Sequence, residues 1–76
     1  MNDFKDKCVF ITGGAHGIGR SIVEAFRKAG ARVAFCDLDR TQGEAAARDT
    51  GAAFYPADVA DAAALRGVFD TVCERF

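Results

Sequence analysis

The chain has 76 residues, half of them hydrophobic and 28% charged, with one proline and a net charge of −1. A polyanion partner calls for a positive excess that this composition lacks, so nucleic-acid binding is not expected. No apolar run approaches the roughly 20 residues that span a bilayer. The mixed-charge start of the chain leads into only a short apolar stretch, so neither membrane contact nor a secretory signal is expected, and the protein reads as cytoplasmic.

The elements alternate along the chain. Residues 7–12, rich in β-branched and aromatic side chains, read as a buried strand. A glycine-rich turn, residues 13–19, follows. A helix is expected from Gly17 to Ala29, with Ile18, Ile22, Ala25, Phe26 and Ala29 at helical spacing, and Gly30 stands where a helix end favours glycine. Residues 31–36 form a second strand that ends at Asp37. Asp39 can cap a second helix, with Gln42 three residues on; Gly43 weakens that helix and Gly51 ends it. Residues 52–56 make a short third strand whose proline suits an end or an edge. Asp61 can cap the last helix, whose stripe is Leu65, Val68, Phe69, Val72 and Phe76.

Strands separated by helical crossovers of this length pair in parallel with right-handed connections. The expected fold class is therefore α/β, with a parallel sheet built from a single β-α-β-α-β-α unit spanning residues 1–76. Three cysteines, Cys8, Cys36 and Cys73, make an odd number without a Cys-x-x-Cys pair or a histidine at metal-like spacing. They read as buried free thiols, and no metal is expected.

The stretch Thr12-Gly13-Gly14-Ala15-His16-Gly17-Ile18-Gly19 lies between a predicted strand and a predicted helix. In that context Gly13 allows a sharp exit from the strand, Gly17 lets backbone approach a pyrophosphate, and Gly19 lets the helix lie close to the strand. The helix N-terminus adds free N–H groups and a positive partial charge. Asp37 lies 20 residues beyond Gly17, where a carboxylate can accept both ribose hydroxyls of an adenosine and repel a 2′-phosphate. Asp58 follows the third strand, where it can accept from an adenine amino group or serve as an ordinary turn residue; Val59 can flank the ring. Leu38 follows Asp37 without adding a cation, although Arg40 is near. His16 is read as a positional or solvent-facing residue, with direct contact to the adenosine side as the alternative.

These residues resemble the short-chain dehydrogenase/reductase family, whose turn is Thr-Gly-x-x-x-Gly-x-Gly. Thr12 to Gly19 match every fixed position, and the spacing differs from the Gly-x-Gly-x-x-Gly of other Rossmann dehydrogenases. The resemblance implies a Rossmann-type sheet with strand order 3-2-1 and NAD as cofactor, held by Gly13, His16, Gly17, Ile18, Gly19, Asp37, Leu38, Asp58 and Val59. It implies no catalytic residue here. The family's Tyr-x-x-x-Lys has no counterpart, because the one tyrosine is Tyr55 and no lysine follows Lys28. The chain is thus expected to be the cofactor-binding front half of an oxidoreductase, truncated before the catalytic half and inactive alone. A stand-alone nucleotide-binding or association module is the competing reading. In the family's strand order the first strand pairs on both sides. Here its far side is expected to recruit a second copy or a complementary fragment.

Overall fold

The structure, a computed structural model, describes residues 4–76; residues 1–3 of the mixed-charge start lie outside it. Six elements follow in the expected order: β1 (Cys8–Thr12), α1 (Gly17–Lys28), β2 (Arg32–Asp37), α2 (Arg40–Thr50), β3 (Ala53–Pro56) and α3 (Ala62–Arg75). The strands form one parallel sheet in the order β1-β2-β3. This is the 3-2-1 arrangement. The register sets Cys8 beside Arg32 and Ala34 beside Ala53, so the carboxyl ends of all three strands finish together.

Local chemistry explains the boundaries. Asp39 caps α2, its side chain accepting from the Gln42 N–H at 3.0 Å. Asp61 caps α3 in the same way through the Ala64 N–H at 3.1 Å. Both satisfy a helix-start donor that would otherwise lack a partner. Gly30 and Gly51, just past α1 and α2, take the left-handed conformation that ends helices.

The core lies between the sheet and the α1–α2 layer. Val33 and Phe35 of β2 sit at its centre with Val23 of α1 and Ala46 of α2, all essentially inaccessible to water. Burying side chains such as Val23 and Phe35 stabilises the fold by roughly 1.5–3 kcal/mol each. The buried face of α1 matches the expected one only in part. Phe26 packs against the core and Ala29 is half-buried, as expected, whereas Ile22 and Ala25 are exposed and Ile18 is 83% exposed. Val23, outside the expected stripe, is fully buried. It lies in line with Gly19, the side of the helix that comes closest to the β1 turn.

Alternation along β1 sends Val9 and Ile11 to the α1–α2 side and Phe10 to the other. There α3 packs, with the rings of Phe10 and Phe69 edge-to-face at 6.1 Å and the Cys8 thiol 3.9 Å from the Phe76 carbonyl. Of the expected α3 stripe, Val72 is buried, Leu65, Val68 and Phe76 are half-buried, and Phe69 is half exposed. The cysteine expectation holds for Cys36 alone. Cys8 lies at the start of the outer strand and Cys73 on α3, and both are exposed. Burial pushes the Cys36 thiol above its ordinary pKa, which keeps it neutral and unreactive.

Gly43 acquires a role that helix propensity does not reveal. A Cβ at this position would collide with the ring of Phe54 on β3, so the missing side chain is what lets α2 settle on the sheet. Gly67 in α3 has nothing within 4 Å of the same position. Alanine is favoured over glycine by about 1 kcal/mol in a helix interior. Gly67→Ala should therefore stabilise the chain by up to about that amount. Gly43→Ala should instead lose about 1–3 kcal/mol, because the ring must move. Equilibrium urea unfolding of the two variants measures both signs, and a stabilised Gly43→Ala would disprove the packing role.

Candidate functional site

The site is assembled where β1 gives way to α1. Gly13 leaves the strand at φ 70° and Gly17 enters the helix at φ 55°, conformations that L side chains rarely adopt. A Cβ at either would project into open space, so the exposed backbone of the turn is free to meet a ligand. Gly19 is different. A Cβ there would run into the carbonyl of Gly13, so the first turn of α1 lies directly against the turn it grew from. Gly14 also lacks room, since its Cβ would come 2.7 Å from Phe35. The Gly13 and Gly14 N–H groups both donate to the Cys36 carbonyl, at 2.8 and 3.3 Å, which pins the turn to the end of β2.

The first turn of α1 has no acidic side chain, and the N-cap residue His16 makes no side-chain cap bond. Partial positive charge and N–H groups without side-chain partners therefore face outward at the open turn.

Asp37 stands opposite, at the end of β2. Its Oδ2 accepts from the Ala15 N–H at 3.2 Å and its Oδ1 from the Asp39 N–H at 3.0 Å. The side chain is 14% exposed, so it is fixed from behind and keeps a limited outward face. Each carboxylate oxygen retains a lone pair for a further donor. His16 reaches the same corner, with Nε2 at 3.5 Å from Asp39 Oδ2 and 3.9 Å from Asp37 Oδ1.

Thr12, Gly13, Asp37, Leu38, Ala57 and Val59 line a cleft of about 220 Å³ across the carboxyl ends of the strands. Ligands of open parallel sheets bind at this end. The Ala57 N–H donates to the Asp37 carbonyl at 3.1 Å, which brings the loop after β3 against β2. Leu38 and Val59 are largely exposed and offer apolar surface at the rim. The structure thus gathers Gly13, Asp37, Leu38 and Val59 in one cleft, with His16 beside them. Gly17, Ile18 and Gly19 form the adjoining helix start. Asp58 is exposed and outside the lining, and its Oδ1 accepts from the Ala60 N–H at 2.8 Å in a local turn. Three contributors escape sequence reading: Ala15, whose N–H holds Asp37; Ala57, which lines the cleft; and Asp39, legible only as a helix cap, which also faces His16.

Comparison with known proteins agrees with this geometry. The family model described as enoyl-(acyl carrier protein) reductase matches residues 13–76. The chain belongs to the short-chain dehydrogenase/reductase family. Rat L-fucose dehydrogenase (Rattus norvegicus) is 39% identical over 74 residues, covering 96% of this chain and 27% of that protein. A short chain dehydrogenase/reductase, dpmpG, of Macrophomina phaseolina (strain MS6) is 45% identical over 76 residues, covering 92% of this chain and 43% of that one. The solved structure of BdcA from E. coli superposes with a TM-score of 0.88 at 36% identity, over 95% of this chain and 39% of that chain. The chain therefore spans between about a quarter and somewhat over two fifths of the length of these relatives. Members of the family work with nicotinamide dinucleotides, and this segment is of the dehydrogenase/reductase type. Among the described residues no helix is long and apolar enough to cross a membrane.

The two backbone bonds to Asp37 yield a stability prediction. Asp37→Ala leaves the Ala15 and Asp39 N–H groups without their acceptor, at a cost of about 1–3 kcal/mol. For a chain of this size that lowers the melting temperature by roughly 4–8 °C per kcal/mol. Asp37→Asn keeps one carbonyl oxygen and should lose less. Thermal unfolding by circular dichroism gives the order, and an unchanged melting temperature in Asp37→Ala would show that the bonds carry no weight.

Proposed function

We propose that this chain is the part of an NAD(H)-dependent oxidoreductase that grips the adenosine and pyrophosphate of the cofactor. The observation that carries this reading is Asp37, a carboxylate held by two backbone N–H groups on the wall of the strand-end cleft. A carboxylate in that place accepts ribose hydroxyls and opposes a 2′-phosphate. The rest of the site fits the same ligand. The open backbone at Gly13 and Gly17 and the start of α1, without acidic side chains, suit a pyrophosphate. The apolar rim of Leu38, Ala57 and Val59 suits a flat base. Ile18 and Gly19 set the first turn of α1, and Asp58 shapes the loop that carries Val59.

A bound nicotinamide dinucleotide supplies hydride-transfer chemistry. The chain's own residues bind and orient it, and none of them is assigned a catalytic role.

NADH should bind more tightly than NADPH. A phosphate set against a carboxylate costs about 2 kcal/mol or more, roughly 30-fold in affinity. Asp37→Asn should narrow the gap, and it disturbs the fold less than Asp37→Ala. Calorimetric titration with both cofactors measures this, and equal affinities in the native chain would overturn the assignment.

A second role is favoured by the outer edge of β1, which pairs only with β2 among the described residues. Beside it lies an apolar hollow of about 320 Å³ whose lining includes Val9, Phe10, Phe69, Val72 and Phe76. Exposed apolar edges of this kind recruit further strands. Standing alone, the 76-residue chain should associate with a second copy along β1. Sedimentation equilibrium at micromolar concentration should return about twice the 8.1 kDa chain mass. Cys8→Lys, which puts a charge on the exposed start of the strand, should restore the monomer. A native chain that stays monomeric while unfolding cooperatively refutes the association.

A further inference from the structure

Two of the three cysteines meet at one place. Cys8 opens β1 and points to the α3 side of the sheet with Phe10, and Cys73 lies on the face of α3 that carries Phe69 and Phe76. Both residues are exposed, and both line the apolar hollow of about 320 Å³ between the strand and the helix. The Cys8 Sγ lies 3.9 Å from the Phe76 carbonyl oxygen, and Cys73 stands three residues before Phe76. Helix residues three apart hold their Cβ atoms about 5–6 Å from one another. Cys73 is thus the next neighbour of the residue that Cys8 already touches. A disulfide requires Cα atoms about 4.4–6.8 Å apart, and α3 is the element free to supply the remaining approach. Among the described residues no ion pair, and no hydrogen bond other than that of the Cys8 thiol, joins α3 to the sheet. By contrast, α1 is tied to the end of α2 through Arg20 and Arg27. Cys36 takes no part, being fully buried on the central strand.

We propose that Cys8 and Cys73 form a reversible thiol–disulfide clamp that locks α3 onto β1, with a small-molecule disulfide as the oxidant. One protein thiol loses its proton and its sulfur attacks a sulfur of the small disulfide. A mixed disulfide forms, and one small thiol leaves with a proton. The second protein sulfur, likewise deprotonated, attacks the first, the bond to the small molecule breaks, and a second small thiol leaves. Two protein thiols are oxidised and one small disulfide is reduced to two thiols. The bridge closes a loop over most of the chain, the kind that restricts the unfolded state most. Its exposure places it among the bridges that are readily reduced again. The thiols stand on a face of the sheet, whereas strand pairing uses in-plane N–H and C=O groups. The clamp therefore requires neither a bound dinucleotide nor association along β1.

The test is oxidation of the reduced chain with oxidised glutathione, read by intact mass and by peptide mapping without reductant. The expected product is a single chain lighter by two hydrogens, with Cys8 linked to Cys73 and Cys36 still a free thiol. In glutathione buffers the ratio of bridged to open chain should be about tenfold higher for the folded chain than in concentrated urea, the mark of two thiols that the fold holds together. By linkage the bridged chain should melt about 10 °C higher, and dithiothreitol should reverse the shift. Cys8→Ser and Cys73→Ser, each shown to be folded by circular dichroism, should take up one glutathione and show no such shift. Chains that carry two glutathiones and no bridge overturn the clamp. So does a covalent dimer as the main product, a bridge through Cys36, or a bridge equally favoured in urea.

Discussion

The absence of a side chain at residue 19 is the constraint on which the site depends. Any Cβ there would strike the Gly13 carbonyl, so only glycine lets the first turn of α1 rest on the exit of β1. That approach has three consequences. It points the start of the helix across the carboxyl ends of the strands. It turns the Val23–Phe26 stripe, rather than Ile18 and Ile22, into the core. It also buries Ala15 with its N–H directed at Asp37, so the phosphate-type turn and the acidic residue become a single bonded unit 22 residues apart in sequence. Dense packing and ligand geometry are thus set by the same contact.

Asp37 shows how one residue serves fold and specificity together. Its two oxygens satisfy N–H groups from the turn before α1 and from the turn before α2. Hydrogen bonds to a charged acceptor hold it in one rotamer, so no conformational entropy remains to be lost when a ligand arrives. The cleft in front of it is shallow and partly apolar. On the proposed reading, selectivity there rests on fixed charge more than on shape.

Much of this was legible in the sequence, because the relevant signals are local. Periodicity and caps gave all six elements to within a residue or two, and Asp39 and Asp61 cap the helices they were expected to cap. The glycine spacing located the turn, and the count of residues to Asp37 located the opposing carboxylate. What escaped was set by contacts between distant residues. Gly43 reads as a weakness in a helix until Phe54, eleven residues on, is seen to fill the space its side chain would need. The pairing of His16 with Asp39 spans the whole of α1 and β2. The expected stripe of α1 holds for Phe26 but misses Val23, because which side of the helix faces inward depends on the side that Gly19 brings close to the turn. Cys8 and Cys73 look like core thiols by residue type, and only their place on an outer strand and an outer helix face makes them exposed.

The two faces of the sheet are held unequally, and the site lies on the boundary between them. The α1–α2 side has a continuous core around Phe35 and is further tied by Arg20 to Asp49 and by Arg27 to the Thr50 carbonyl. On the other side α3 meets the sheet mainly through Phe10, Val72 and Phe76, and Phe69 remains half in water. Val59 borders the strand-end cleft and also a larger apolar hollow of about 520 Å³ that includes Phe10, Leu65 and Phe69. On the proposed reading, the apolar wall for the base belongs to the loosely packed face, and the ribose and phosphate contacts belong to the well-packed one.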